Sequence, residues 1–147
     1  MSALKKQLIT EIARSGPISV SEYMARCLYD EAHGYYANSA ALGAAGDFIT
    51  APEISQAFGE LLGLALAQAW LDQGAPEAFI LAELGPGRGV LMADILRATK
   101  GIEGFHAAAH ITLIETSAPL REAQKINLKG HDVTWQSDLS ALPDLPK

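Results

Sequence analysis

The sequence predicts an α/β fold in which a parallel sheet follows a helical N-terminal segment. Residues 79–82 (FILA) are apolar and strand-like, residues 83–89 (ELGPGRG) make a glycine-rich turn, and residues 90–97 (VLMADILR) are compatible with a helix. A strand, a glycine turn and a helix form the first unit of a Rossmann-like fold. Strand-like and helix-like segments go on alternating after this unit, which is typical of a parallel sheet.

The first part of the chain is predicted to be helical. Residues 3–15 have a helical pattern that ends before a Gly-Pro pair, and a capping box at Ser19 and Glu22 starts a second helix that runs to about Leu28. Residues 30–50 have no stable period. A loop of this length in a compact domain is usually functional or mobile.

A second capping box, Thr50 to Glu53, predicts a longer helix with an early proline that runs to about Asp72. Residues 74–76 (GAP) end this helix. Its predicted apolar face is broad and consists of Phe58, Leu61, Leu62, Ala65, Leu66 and Ala69.

Three strand candidates follow, near residues 78–84, 110–115 and 132–135, with a predicted helix over 117–129 between the last two. A doubly wound fold normally has five or more parallel strands. Because a sheet of three strands leaves an apolar edge unpaired, we expect the chain to be a fragment of a longer protein.

The change from helical to alternating pattern predicts two domains. Residues 1–75 form the helical N-terminal segment with the long loop, and residues 76–147 form the N-terminal half of a Rossmann-like domain.

Composition excludes several function classes. The chain has 147 residues, of which 49% are hydrophobic and 19% charged, so it can bury the core of one domain. A net charge of −6 without a basic cluster argues against a nucleic-acid partner. The single cysteine, Cys27, excludes an internal disulfide and fits a reducing compartment.

Two further kinds of site are not expected. The four histidines have no metal-ligand spacing, so we predict no metal site. The longest apolar stretch, residues 61–71, is too short to span a bilayer, so we expect no membrane insertion. No targeting segment is recognised at the N-terminus, and we therefore expect a cytoplasmic location.

The glycine-rich turn predicts which ligand the chain binds. A dinucleotide fingerprint would need glycine at Val90, whereas the observed spacing is G-x-G-x-G from Gly85. An acid two residues before the first glycine, here Glu83, is the pattern that S-adenosylmethionine-dependent methyltransferases show. A carboxylate at this position suits the cationic groups of that ligand and would repel a pyrophosphate. A purely structural turn remains an alternative.

Glu115 is the second candidate binding residue. It ends the second strand candidate, 115 − 89 = 26 residues after the last glycine of the turn. A carboxylate at the carboxyl end of that strand can accept hydrogen bonds from both hydroxyls of a ribose. The alternative is a solvated acid at the start of the next helix, near Ser117.

Three segments together resemble the MidA-like family of class I S-adenosylmethionine-dependent methyltransferases. They are residues 33–36 (HGYY), 46–60 (GDFITAPEISQAFGE) and 83–89 (ELGPGRG), and the resemblance runs from about Leu4 to Pro143. That family includes the mitochondrial assembly factor that methylates an arginine on the 49-kDa-type subunit of respiratory complex I. Members are more than twice as long, so the chain resembles their N-terminal half only.

The resemblance implies a protein-arginine N-methyltransferase that acts on a complex I subunit during assembly, with the mitochondrial matrix as the location of eukaryotic relatives. Together with the spacing, it implies cofactor contacts at Glu83, Gly85, Pro86, Gly87, Gly89, Glu115, Gly46, Thr50, Pro52 and Asp138.

Methyl transfer to arginine also needs a carboxylate that orients the guanidinium and accepts its proton, because an arginine side chain keeps its proton at neutral pH. The resemblance makes Asp47 and Glu53 the candidates. Each acid also has a structural explanation: a turn for Asp47, a helix cap for Glu53, and a loop acid or cap for Asp138.

Two other functions stay open on the sequence alone. An NAD-dependent oxidoreductase could use the same loop together with Glu115, although the glycine it needs at Val90 is missing. A non-catalytic assembly or scaffold module could also keep a degenerate cofactor pocket.

Overall fold

A computed structural model of the chain describes residues 2–36 and 49–146. The chain divides into two compact units, residues 1–41 and residues 42–147. Its elements, in order, are α1 (Ala3–Ser15), α2 (Val20–Tyr29), α3 (Ala51–Ile54), α4 (Gln56–Asp72), β1 (Phe79–Leu84), α5 (Val90–Thr99), α6 (Phe105–Ala108), β2 (Ala109–Ile114), α7 (Ala118–Asn127), β3 (Val133–Gln136) and a 3₁₀ turn (Leu139–Ala141).

The first unit contains the two predicted N-terminal helices. The Ser2 hydroxyl accepts a hydrogen bond from the Lys5 N–H at the start of α1. The capping box of α2 is confirmed: Ser19 Oγ accepts from the Glu22 N–H at 3.1 Å, and the Ser19 N–H donates to Glu22 Oε2 at 2.8 Å. These bonds satisfy N–H groups that have no partner inside the helix.

The second unit contains the predicted parallel sheet. Its strand order is β1-β2-β3, with Phe79 opposite Ala109 and Ile111 opposite Val133. The predicted α/β fold class is thereby confirmed. Because the strands are parallel, their carboxyl ends meet at one edge of the sheet, where ligands bind in open α/β folds.

The predicted long helix from Thr50 is wrong in two respects. It is interrupted at Ser55, whose extended backbone (φ −147°, ψ 118°) separates α3 from α4. The capping box also does not form, since the Thr50 side chain makes no cap hydrogen bond and the Glu53 side chain is paired with Arg88 instead. A tertiary ion pair here replaces the local contact that the sequence pattern favours.

The core of the second unit lies between the sheet and the helices α4 to α7. Three aromatic side chains, Trp70, Phe79 and Phe105, pack with ring centroids 5.2 to 6.2 Å apart. Phe105 belongs to the short helix α6, which the sequence did not predict. The buried cluster consists of Ala67, Trp70, Phe79, Leu81, Met92, Ile95, Leu96, Phe105, Ala108, Ile111, Leu113 and Leu128.

Helix α4 lies very close to α5. The residues that α4 buries are small apart from one tryptophan, and they recur at helical spacing: Gly59, Gly63, Ala67 and Trp70. A Cβ atom added at Gly63 would lie 2.9 Å from the Ile95 Cα atom and 3.1 Å from the Ile95 carbonyl oxygen. Backbone cannot yield as a side chain can, so the glycine sets the distance between the two helices.

We expect Gly63→Ala to lower the free energy of unfolding by about 2 kcal/mol, because the added methyl group forces α4 away from α5. Urea denaturation of the chain measures the change. Gly101→Ala is the matched control, since a Cβ at Gly101 meets no atom within 4 Å. Equal stability of the Gly63 variant and the wild type would contradict the close packing.

The predicted division at residue 75 stays a prediction about how the protein is organised. In the structure, α4 packs against α5 and is part of the second compact unit. Among the residues that the structure describes, no helix has the length and apolar character needed to cross a membrane.

Candidate functional site

The glycine-rich loop lies between β1 and α5, at the carboxyl edge of the sheet. Gly85, Gly87 and Gly89 all have left-handed backbone, with φ of 61°, 54° and 79°. The Gly85 N–H donates to the Ile114 carbonyl at 3.1 Å, and the Gly89 N–H donates to the Pro86 carbonyl at 2.7 Å. Glycine thus occupies each position of the loop where the backbone has positive φ, a conformation that is unfavourable for residues with a side chain.

A cavity of about 280 Å³ lies against this loop. Small-molecule sites typically have volumes of roughly 300–1,000 Å³, so the cavity is near the lower end of that range. It brings together seven of the predicted site residues and four that were not predicted. The lining consists of Thr50, Pro52, Glu53, Glu83, Leu84, Gly85, Pro86, Gly87, Arg88, Val90 and Leu91.

Glu83 lines this cavity, and one oxygen of its carboxylate lacks a hydrogen-bond partner in the described part of the chain. Its Oε2 atom is buried and has no hydrogen-bond partner among the described residues. Burial raises the pKa of Glu83 to about 7, and a hydrogen bond from the Met92 backbone N–H opposes part of that rise. A buried carboxylate with a free oxygen is costly unless a cation or a donor pairs with it.

Glu53 also lines the cavity, and Arg88 holds its carboxylate in place. The Arg88 Nε donates to Glu53 Oε1 at 2.9 Å, and its NH2 group donates to Oε2 at 2.6 Å. This two-point pair joins α3 to the glycine loop, and it raises the pKa of Arg88. The catalytic role of Glu53 stays a prediction, and its carboxylate already has a partner.

Glu115 follows β2 directly, as predicted, but it does not line the cavity. Its side chain is buried, with 8% of the residue exposed. Oε1 accepts from the Ser117 N–H at 2.8 Å, and Oε2 accepts from Gln124 Nε2 at 3.3 Å. Each carboxylate oxygen has two acceptor positions, so these bonds leave capacity for a ligand hydroxyl.

Asp138 lies after β3 and caps the 3₁₀ turn. Its Oδ1 atom accepts from the Ser140 N–H at 2.7 Å and from the Ser140 hydroxyl. Both bonds lower the pKa of Asp138. The local cap is therefore present, and the predicted contact to a ligand stays a prediction. Gly89 is not one of the lining residues, although its neighbours Arg88 and Val90 are, while Gly46 and Asp47 lie outside the described residues.

Helix α7 supplies site residues that the sequence analysis missed. Gln124 Nε2 donates to the Gly87 carbonyl at 2.7 Å, and Asn127 Nδ2 donates to the Arg88 carbonyl at 2.8 Å. A pattern could have revealed Gln124: it stands four residues from Leu120 and four from Leu128, both buried. A polar residue in the apolar stripe of a helix usually has a specific partner.

Arg121, one turn earlier on α7, connects the ends of two strands. Its guanidinium donates through Nε to the Glu115 carbonyl at 2.7 Å and through NH2 to the same oxygen and to the Gln136 carbonyl at 3.3 Å. These contacts hold the carboxyl ends of β2 and β3 at the edge where the site lies. No group of three or more His, Cys, Asp or Glu side chains within residues 2–36 and 49–146 is arranged to hold a metal ion.

Comparison with known families identifies the chain's relatives. Residues 61–147 match a family described as "putative S-adenosyl-L-methionine-dependent methyltransferase". A mouse protein named protein arginine methyltransferase NDUFAF7, mitochondrial, is 43% identical over 144 residues, which cover 97% of this chain and 33% of that protein. The human protein of the same name is 44% identical over 135 residues, covering 90% of this chain and 31% of that protein.

A solved structure agrees with this comparison. A COG1565 superfamily member from Burkholderia thailandensis, bound to S-adenosyl-homocysteine, superposes with a TM-score of 0.74 at 32% sequence identity. The match covers 93% of this chain and 37% of that chain. The chain thus spans about a third of the length of the curated relatives it matches.

Proposed function

Because the chain belongs to this family of S-adenosyl-L-methionine-dependent methyltransferases, we propose that it forms the cofactor-binding part of such an enzyme. The Burkholderia structure, whose ligand is S-adenosyl-homocysteine, supports the same cofactor class for this chain. The complete protein then transfers a methyl group to a protein substrate.

The free carboxylate oxygen of Glu83 is the observation that carries the proposal. Glu83 lines the cavity beside the glycine loop, and its buried Oε2 atom has no partner among the described residues. A ligand with a sulfonium and an ammonium group fits such a carboxylate, whereas the pyrophosphate of a dinucleotide would be repelled. This charge requirement favours S-adenosylmethionine over NAD.

The remaining predicted residues have complementary tasks in this proposal. Gly85, Pro86 and Gly87 let the backbone approach the ligand closely, and Thr50 and Pro52 cover it from the side of α3. These five residues all line the cavity.

Two acids beyond the cavity wall are proposed to extend the site. Glu115 accepts hydrogen bonds from the ribose hydroxyls, and Asp138 accepts one from the adenine amino group. Gly46 is proposed to take part in covering the ligand, and Gly89 is the N-cap of α5, whose N-terminal N–H groups favour a carboxylate.

Bound S-adenosylmethionine would supply a methyl group on a positively charged sulfur, which makes the methyl carbon electrophilic. The protein's own task is to position the acceptor nitrogen, exclude water and remove a proton. We propose Asp47 and Glu53 as the candidates for the proton acceptor. Each Glu53 oxygen accepts one hydrogen bond from Arg88 and keeps one further acceptor position.

We further propose that the acceptor is an arginine of a respiratory complex I subunit of the 49-kDa type. The names of the mouse and human relatives, which specify a protein arginine methyltransferase, support the arginine. The subunit follows from the family resemblance. Both relatives are named as mitochondrial proteins, while a cytoplasmic location for this chain stays a prediction.

Isothermal titration calorimetry of the chain with S-adenosylhomocysteine, and separately with NADH, tests the cofactor. We expect S-adenosylhomocysteine to bind and NADH not to bind. The Burkholderia protein, which was crystallised with S-adenosyl-homocysteine, serves as a positive control for the ligand preparation. If this control binds and the chain does not, or if the chain binds only NADH, the proposed cofactor function is wrong.

A further inference from the structure

Gln124 is the most deeply buried polar side chain near the proposed site. It has no solvent exposure and lies on the buried face of α7 together with Leu120. Burial of an amide side chain is costly unless both N–H groups find an acceptor and the oxygen finds a donor. Gln124 meets this requirement with three partners from three separate segments: the glycine loop, the residue after β2, and β3.

The three partners determine how the amide is oriented. Nε2 donates to the Gly87 carbonyl at 2.7 Å and to Glu115 Oε2 at 3.3 Å. A carbonyl oxygen and an ionised carboxylate can only accept hydrogen bonds. On the other side, Oε1 accepts from the indole Nε1 of Trp135 at 2.8 Å. An indole N–H can only donate, so the reversed amide would lose all three bonds.

Gln124 therefore connects the two halves of the proposed site. One donor holds the glycine loop through Gly87, and the other holds the carboxylate of Glu115 after β2. Neither leucine nor glutamate could replace it, because leucine has no donor and an ionised glutamate has only acceptors. A residue that only filled the core would not need one N–H donor directed at Gly87 and another directed at Glu115.

We propose that Gln124 is a positioning residue that couples the glycine loop to Glu115, so that both present the cofactor with a single geometry. This inference rests on the proposed function. Gln124 does not line the cavity, so it acts through its two acceptors. Asn127 supports the arrangement by holding the next carbonyl of the loop, that of Arg88.

Close approach between α7 and the loop strengthens this coupling. A Cβ atom added at Gly89 would lie 3.2 Å from Gln124 Cγ. The loop thus packs directly on the aliphatic part of the side chain whose amide bonds to it. A shift of Gln124 would therefore change both its packing against Gly89 and its hydrogen bond to Gly87, so the loop would have to move with it.

Gln124→Met tests the proposal, because methionine keeps the volume and removes all three hydrogen bonds. We expect the Kd of S-adenosylhomocysteine, measured by calorimetry, to rise roughly tenfold or more. Gln73→Met is the matched control: it makes the same replacement at an exposed position at the end of α4, and its Kd should stay within about twofold of wild type.

A double-mutant cycle with Glu115→Ala separates positioning from a general effect on folding. If Gln124 acts through Glu115, Gln124→Met costs much less affinity in the Glu115→Ala background than in the wild type. Two independent structural defects would instead multiply their effects on Kd. An unchanged Kd in Gln124→Met, or multiplication of the two effects, would overturn the proposal.

Gln124→Glu keeps the proposal testable if the methionine variant does not fold. A protonated glutamate can donate one hydrogen bond, whereas the ionised form cannot donate and faces the Glu115 carboxylate. The ratio of its Kd to that of wild type at the same pH should therefore rise with pH. A ratio that does not change with pH would count against the coupling.

An NMR measurement on the ligand-free chain tests the coupling independently of the cofactor. We expect the ¹³C resonance of the Gly87 carbonyl to shift in Gln124→Glu at high pH, when its hydrogen bond is lost. If wild type does not bind S-adenosylhomocysteine but this resonance shifts, the proposed function is wrong and the coupling is right. An unshifted resonance would show that the coupling is absent.

Discussion

Replacing Gly87 with valine is expected to raise the Kd of S-adenosylhomocysteine by roughly 100-fold or more, which corresponds to a loss of about 3 kcal/mol. Gly87 lies in the wall of the cavity with φ at 54°. A valine there places a branched side chain where the ligand approaches the loop. It also disfavours the left-handed backbone by about 1–2 kcal/mol, so the loop that the ligand needs is less populated.

Calorimetry measures the affinity of this variant, and circular dichroism checks that it is folded. Gly130→Val is the matched control, because Gly130 also has left-handed backbone (φ 94°) but meets no atom within 4 Å of an added Cβ. The control carries the same kind of backbone strain away from the cavity, so its Kd should equal that of wild type. Normal affinity in a folded Gly87 variant would exclude the loop from the ligand site.

The second large effect is expected from the pH dependence of stability at Glu83. Burial raises the pKa of this carboxyl to about 7 in the folded chain, whereas a glutamate side chain exposed to water has a pKa of 4.5. The folded state therefore holds the proton over this range while the unfolded state releases it. Stability then falls as pH rises from about 4.5 to 7, by about 3 kcal/mol in total.

Urea denaturation at pH 4.5 and pH 8 measures this loss as a difference between wild type and Glu83→Gln. The glutamine keeps an acceptor for the Met92 N–H and cannot ionise, so the variant should gain about 3 kcal/mol relative to wild type at pH 8. Glu122→Gln, at an exposed position on α7, should show no such gain. Parallel pH profiles of wild type and Glu83→Gln would contradict the buried carboxylate.

The same variant tests the ligand chemistry from the opposite direction. The wild-type affinity for S-adenosylmethionine should increase as pH rises toward 7 and above, because the ionised carboxylate attracts the cationic groups. Glu83→Gln should bind more weakly, and with a flatter pH profile. Glu83 is thus expected to reduce the stability of the ligand-free chain at the pH where it contributes most to binding.

Local patterns in the sequence were enough to predict the sheet and the loop. The apolar run before residues 83–89 and the spacing of Gly85, Gly87 and Gly89 report backbone requirements that each segment carries by itself. The position of Glu115 followed in the same way, from the strand that it ends. Such features depend on neighbours in sequence, and a single sequence contains them.

The contacts that complete the site depend on residues far apart in the chain, and the sequence did not reveal them. Glu53 pairs with Arg88, 35 residues away, in place of the predicted capping box. Gln124 bonds to Gly87 across 37 residues, and its role depends on the packing of α7 against the loop. Local propensity gives no information about which of two competing partners a side chain will choose.

The two tryptophans of the chain lie in different surroundings, and this makes the protein its own optical probe. Trp70 is buried among Phe79 and Phe105, whereas Trp135 is partly exposed and bonded to Gln124. Fluorescence from Trp70 therefore follows unfolding of the core. With Trp70 replaced by phenylalanine, the emission of Trp135 alone would report, in real time, changes in the hydrogen bond between its indole N–H and Gln124.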